Sequence, residues 1–217
     1  MKKHILCLGD SNTYGYCVDP EDCADGGNRF NEEERWTCLL QNALGNEYLV
    51  IEEGLCGRTT VFPDPPSENM DAMSMLFGLL KSHESIDLLI IMLGTNDAAE
   101  RFHATAEEIC DGMEQLVQKA VDINCWAPGE KPNILVIAPP PAGQGADPES
   151  LAAFSDRSRL EKTPLLAELY EKMAKDRGIH FLDAVGCEFN RLDYFHLTKK
   201  GHHELADRLI TLVPTLI

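Results

Sequence analysis

The chain alternates between short, nearly unbroken apolar runs and longer segments whose apolar residues recur at helical spacing. The runs cover residues 5–8, 48–51, 86–93, 134–138 and 179–182. A continuous apolar run of this kind reads as a strand covered on both faces. Between them, Trp36, Leu40 and Leu44 share one side of a predicted helix over 33–44, with Gly45 at its stop. Residues 70–82 read as a second helix, and Ile109, Met113, Leu116 and Ala120 keep helical spacing through a third. Thr163-Pro164 starts another helix with Leu165, Leu169 and Met173 along one side, and Thr198 opens a last one through Leu205, Leu209 and Leu212. The connection over 14–32 is long and polar, three prolines make 61–69 a loop, and 143–157 reads as a loop or mobile flap.

Strands alternating with helices predict an α/β fold with a parallel sheet. At this length the economical choice is a flavodoxin-like, three-layer α/β/α sandwich on a five-stranded sheet with right-handed crossovers. No repeat, low-complexity tract or break interrupts the pattern, so residues 1–217 are expected to form one domain.

A parallel sheet places the carboxyl ends of all its strands on one edge, where α/β proteins bind ligands. Gly9-Asp10-Ser11-Asn12 follows the first run, Gly57 follows the second, and Gly94-Thr95-Asn96-Asp97 follows the third. Asp193 and His196 follow the last. Taken alone, the first cluster reads as readily as a helix cap at Asp10 or Ser11. Taken together, the clusters make Ser11 a candidate nucleophile, His196 its base and Asp193 the group that orients the imidazole. The amides of Ser11 and Gly57 and the side-chain amide of Asn96 are candidate oxyanion donors.

These blocks carry a family resemblance. Gly9-Asp10-Ser11, Gly57, Gly94-Thr95-Asn96-Asp97 and Asp193-x-x-His196 are similar, in order, to those of the SGNH (GDSL) hydrolases. Arg35-Trp36-Thr37, Glu52 to Thr60 and Ile90 to Asp97 resemble the arylesterase and acyltransferase branch most. The resemblance implies Ser11 as nucleophile, Gly57 and Asn96 with the Ser11 amide as oxyanion hole, and Asp193 with His196 completing a triad. Glu53 departs from the Asn often found there in the family, and Cys56 from a small residue; both put the pocket's polarity in question. Asn12, Tyr16 and Trp36 are the candidate substrate-binding residues, Tyr16 and Trp36 as a flat apolar wall for an aryl group. The expected activity is hydrolysis of short-chain acyl or aryl esters, with acyl transfer to an alcohol as an extension. Alternatives are a carbohydrate deacetylase or lysophospholipase-thioesterase of the same family, or a non-catalytic flavodoxin-like binding module.

Composition narrows the partners. Nineteen basic against 36 acidic residues give a net charge of −17, with no basic cluster, which argues against nucleic acid or an anionic membrane. Eight cysteines without a Cys-x-x-Cys pair or a zinc spacing, and an apolar start too short for a signal peptide, point to the cytoplasm. Cys7, Cys38 and Cys110 fall on buried faces. The histidines form no i, i+4 metal pair, and no phosphate loop is present, so no metal or cofactor is expected. His202-His203 reads as a solvated face. The partner is a small-molecule ester, and the loops at 61–69 and 143–157 are candidate contacts of a homo-oligomer.

Overall fold

The structure, a computed structural model, describes residues 2–65 and 67–217. Five strands, β1 (Lys3–Gly9), β2 (Tyr48–Gly54), β3 (Leu88–Met92), β4 (Ile134–Ala138) and β5 (His180–Asp183), lie in the order β2-β1-β3-β4-β5. All four pairings are parallel. The predicted sheet and its flavodoxin-like order are both present.

Side chains alternate across the pleat, so each strand feeds two cores. Leu6, Leu8, Leu89, Ile91 and Val136 face helices α3 (Ala72–Ser82), α4 (Ala106–Asp122) and α7 (Leu166–Arg177). Ile5, Cys7, Leu88, Ile90 and Leu135 face α2 (Trp36–Leu44) and α8 (Lys199–Leu212). Both faces of β1, β3 and β4 are thereby covered, which is why these strands read as continuous apolar runs. The edge strands β2 and β5 are only half-buried. The pairing of β2 continues through Glu52↔Cys7 to Gly54↔Gly9, beyond the predicted end at residue 51. Two acidic residues hid that extension.

Other boundaries move for physical reasons. α2 starts at Trp36 rather than 33, because buried Glu34 is turned inward to accept the backbone N–H groups of Ala24 and Asn31. Residues 143–157 are not simply a loop: Asp147 caps α5 (Pro148–Ala153), and Asp156 caps α6 (Arg157–Lys162). Thr163 does not cap the next helix. Its hydroxyl donates to Arg159 O at 2.7 Å and accepts from Ala142 N at 2.8 Å, and a 3-10 turn intervenes. Three residues per turn shift the helical phase, so Leu166, Tyr170 and Met173 face inward while Leu165 is exposed. Cys38 is half-buried rather than buried.

The carboxyl edge is packed tightly. A Cβ on Gly54, at the end of β2, would stand 2.1 Å from Tyr14 N in α1 (Ser11–Tyr14). Only hydrogen fits between that strand and the first helix. Gly54→Ala is therefore expected to lower unfolding stability by about 1–3 kcal/mol, the usual cost of overpacking. Urea denaturation checks this; an unchanged midpoint would mean that α1 moves aside freely.

Candidate active site

At the end of β1 the chain turns directly into the single-turn α1. Asp10 caps it, accepting from Asn12 N at 2.9 Å. The turn is tight because Gly9 lies under Thr13, where a Cβ would be 2.0 Å from Thr13 Oγ1. Ser11, the first helical residue, is held at the sheet edge with 7% exposure. Across the edge, a loop carries Asp193 and His196. Asn190 shapes it, accepting Leu192 N at 2.8 Å and Asp193 N at 3.0 Å on its Oδ1, while its Nδ2 donates to Asp193 Oδ1 at 2.8 Å and His196 O at 2.9 Å.

Ser11 Oγ lies 2.8 Å from His196 Nε2, and His196 Nδ1 lies 2.6 Å from Asp193 Oδ2. The hydroxyl, imidazole and carboxylate thus form one hydrogen-bonded line across 185 residues of sequence. Burial raises the pKa of Asp193, but the hydrogen bond and charge of His196, with donors from Phe195 N–H and Asn190, outweigh it and leave the carboxyl below its ordinary range. An ionised Asp193 holds the Nδ1 proton and leaves Nε2 to accept from Ser11.

Gly57 sits third in a turn closed by Arg58 N donating to Leu55 O at 3.0 Å, with φ +85°. That conformation favours glycine. Among the described residues, the N–H groups of Ser11 and Gly57 donate to no protein acceptor. Asn96 Nδ2 spends one hydrogen on Arg58 O at 3.0 Å, leaving its second free. The anchor beneath is Asp97, whose Oδ1 accepts Thr60 N at 2.8 Å and the Thr60 hydroxyl.

A family model described as GDSL-like Lipase/Acylhydrolase matches residues 7–204, from within β1 to within α8. The chain belongs to this family. Among solved structures, it is 34% identical to an aryl esterase from M. smegmatis, covering 99% of this chain and 100% of that one with a TM-score of 0.85. A carbohydrate acetylesterase from Sinorhizobium meliloti is also 34% identical, with full coverage of both chains and a TM-score of 0.85. A lipase/acylhydrolase from Enterococcus faecalis, at 19% identity and a TM-score of 0.66 over 98% of this chain and 96% of that one, shares the fold. No curated protein matches the chain.

Not every predicted site residue meets substrate space in this GDSL-family hydrolase. Tyr16 is half-buried, its ring centroid 4.9 Å from that of His196. Trp36 is fully buried, donating from Nε1 to Asn12 O at 3.1 Å, so it cannot form a pocket wall. Asn12 is 2% exposed, and both ends of its amide are engaged by the loop around His196, so it cannot bind substrate either. His202 is buried, not solvated; its Nδ1 accepts Trp36 N at 3.3 Å, and burial, with Arg35 nearby, pushes its pKa down to about 3.

Three other side chains gather beside the histidine. Phe195 stacks on His196 at 4.4 Å, and Phe154 and the Arg159 guanidinium reach Phe195 at 6.4 and 4.9 Å. These three help line a cavity of about 330 Å³ beside Asp193. In the sequence Phe154 reads as an aromatic for an acyl or aryl pocket, and Phe195 is marked only by its position between Asp193 and His196. Of the two departures from the family pattern, Glu53 pairs with His83 Nε2 at 2.8 Å, and Cys56 is exposed next to Gly57.

Two carboxyls under the site are held off water. Burial pushes Asp10 up to about 6, against the Asn12 N–H and nearby Arg58 and Arg159. Burial likewise pushes Asp97 from its ordinary 3.8 up to about 6, against the two Thr60 donors. A raised folded pKa means that the charged form is penalised: the penalty is absent below the unfolded value and complete above the folded one. Asp97→Asn, which keeps the acceptor for Thr60, is therefore expected to gain stability relative to the parent as pH rises from 4 to above 6, by about 3 kcal/mol in all for two pK units. Urea midpoints of both proteins across that range check it; parallel curves would refute buried ionisation at Asp97.

Proposed function

We propose that this chain, acting as one domain over residues 1–217, is a serine esterase that forms its acyl-enzyme on Ser11. The observation that carries this reading is the unbroken line Ser11 Oγ–His196 Nε2, 2.8 Å, and His196 Nδ1–Asp193 Oδ2, 2.6 Å. As Ser11 Oγ bonds to the ester carbonyl carbon, its proton passes to His196 Nε2, and Asp193 stabilises the imidazolium. The oxyanion takes hydrogen bonds from Ser11 N, Gly57 N and Asn96 Nδ2, preorganised in a site largely closed to water. Collapse breaks the ester C–O bond, and the Nε2 proton goes to the leaving alcohol. Water then attacks the acyl-enzyme with His196 as base; an alcohol in its place gives acyl transfer. No step asks for a metal.

The substrate we favour is an acetyl or similarly short ester of an aryl or activated alcohol. Ser11 is nine-tenths buried, hemmed in by α1 and by the turn at Gly57, which leaves little depth for a chain. Tyr16 and Phe195, flanking His196, offer an apolar rim to the leaving group. The aryl esterase and acetylesterase at 34% identity support the same class. Eight free cysteines support a reducing compartment, and among the described residues no helix is long and apolar enough to cross a membrane.

Two measurements test the reading. Ser11→Ala is expected to keep its circular dichroism and lose fluorophosphonate labelling, with activity reduced by several orders of magnitude, as removal of a triad member usually does. Retention of more than about one per cent would remove Ser11 as nucleophile. Across p-nitrophenyl esters of increasing acyl length, kcat/KM is expected to be highest for acetate and to fall steeply beyond about four to six carbons. Preference for octanoate or palmitate would replace the short pocket with a lipase-like groove.

A further inference from the structure

The position of His196 is fixed from the opposite side of the site, by the residue next to the nucleophile. Asn12 Nδ2 donates to Phe195 O at 3.0 Å, and Asn12 Oδ1 accepts from Leu197 N at 2.9 Å. One planar amide thereby holds the peptide groups immediately before and after His196. Its own backbone is held in turn: Asn12 O accepts from Trp36 Nε1 at 3.1 Å, and Trp36 N donates to Nδ1 of His202 at 3.3 Å. His202 belongs to α8, the helix that begins three residues after His196. The bonds link α1, the start of α2 and α8, and return to the loop between β5 and α8. All three side chains are essentially fully buried, where bonds of this kind are not exchanged for bonds to water.

We propose that Asn12 is a positioning residue that sets the Ser11–His196 distance, with Trp36 and neutral His202 as its support. This inference rests on the reading of Ser11, His196 and Asp193 as a triad and assigns the chemistry to none of the three supporting residues. The physical reason is local. Asp193 fixes His196 through its Nδ1, and Asn190 shapes the loop internally, but among the described residues neither hydrogen-bonds to α1. Only a bond between the Ser11 turn and the His196 loop can hold the imidazole at a fixed reach from the hydroxyl, and Asn12 makes two. His202 accepts through Nδ1 only while neutral, which burial enforces by pushing its pKa down to about 3. Its Nε2, without a partner among the described residues, lies in a ring pair with Phe30, edge to face at 4.9 Å.

The test compares Asn12→Ala and Asn12→Asp with the parent. Asp keeps the size and the acceptor for Leu197 N but loses the donor to Phe195 O and sets a carboxylate against that carbonyl. Expected for both is a fall in kcat of about 10²-fold at nearly constant KM, the scale of a misplacement of about 1 Å. Labelling of Ser11 by a fluorophosphonate should slow in proportion. The low-field proton resonance of the His196–Asp193 bond should persist, because Asp193 is untouched. Asn12→Ala or Asn12→Asp retaining kcat within twofold would overturn the proposal, as would a rise in KM alone. Should Asn12→Ala fail to fold, the isosteric Asn12→Asp decides. Ser11→Ala, run alongside, separates the two ideas: if it stays active, the triad reading fails, whereas a dead Ser11→Ala beside an unimpaired Asn12 variant refutes the positioning role alone.

Discussion

The constraint on which this protein depends is a layer of polar side chains withdrawn from water at the carboxyl edge of its sheet. Asp10, Asn12, Thr13, Arg58, Thr59, Thr60, Asn96 and Asp97 are all buried there. A buried polar group without a partner costs about 1–3 kcal/mol, more when charged, so the layer must satisfy itself. It does so in part, with Thr13 Oγ1, Arg58 Nε and Asp97 Oδ2 left without a partner among the described residues, and the bonds it makes fix the loops. Asp97 anchors the chain at Thr60, Asn96 anchors it at Arg58, and Arg58 Nη1 reaches back to Gly9 O at 3.1 Å. The N–H groups of Ser11 and Gly57 and one hydrogen of Asn96 Nδ2 are left over. The site is the residue of that accounting.

The same demand explains residues that carried the family resemblance. Arg35 is 3% exposed yet charged, and it needs a counterion. Glu52 supplies a bidentate one, with Nε–Oε1 and Nη2–Oε2 both at 3.0 Å, and Phe30 O takes Nη1 at 2.7 Å. Thr37 also donates to Glu52. Arg35-Trp36-Thr37 and Glu52 therefore join the start of α2 to the edge strand β2 and hold the long polar connection closed. That connection has its own small core of Cys17, Cys23 and Phe30, and Arg29 returns to Tyr14 O at 2.8 Å, keeping Tyr16 against His196.

The sheet and its order were legible because periodicity reports burial, and β1, β3 and β4 are buried on both faces. What failed lay where burial and periodicity part. Edge strand β2 reads as shorter than it is because Glu52 and Glu53 tolerate a half-solvated position. The face of α7 was misread by one residue at Leu165 and Leu169, though not at Met173, because a 3-10 turn precedes it, and short helices α5 and α6 do not repeat often enough to show a period.

For the site, the sequence by itself determined which chemistry-bearing residues follow each strand, since parallel topology sends every such cluster to one edge. The positive φ at Gly57, which favours glycine there, is visible only in the structure. Only the tertiary structure decided which neighbours of those residues face substrate and which face each other. Asn12, Trp36 and His202 are polar or amphipathic residues near the nucleophile and the histidine, a description that fits a pocket wall and a scaffold equally. Side-chain direction separates the two, and it is set by partners 24 to 185 residues away. Hydrogen bonds across such distances leave no period in the sequence, because they depend on where folding brings the backbone and not on what precedes or follows along the chain.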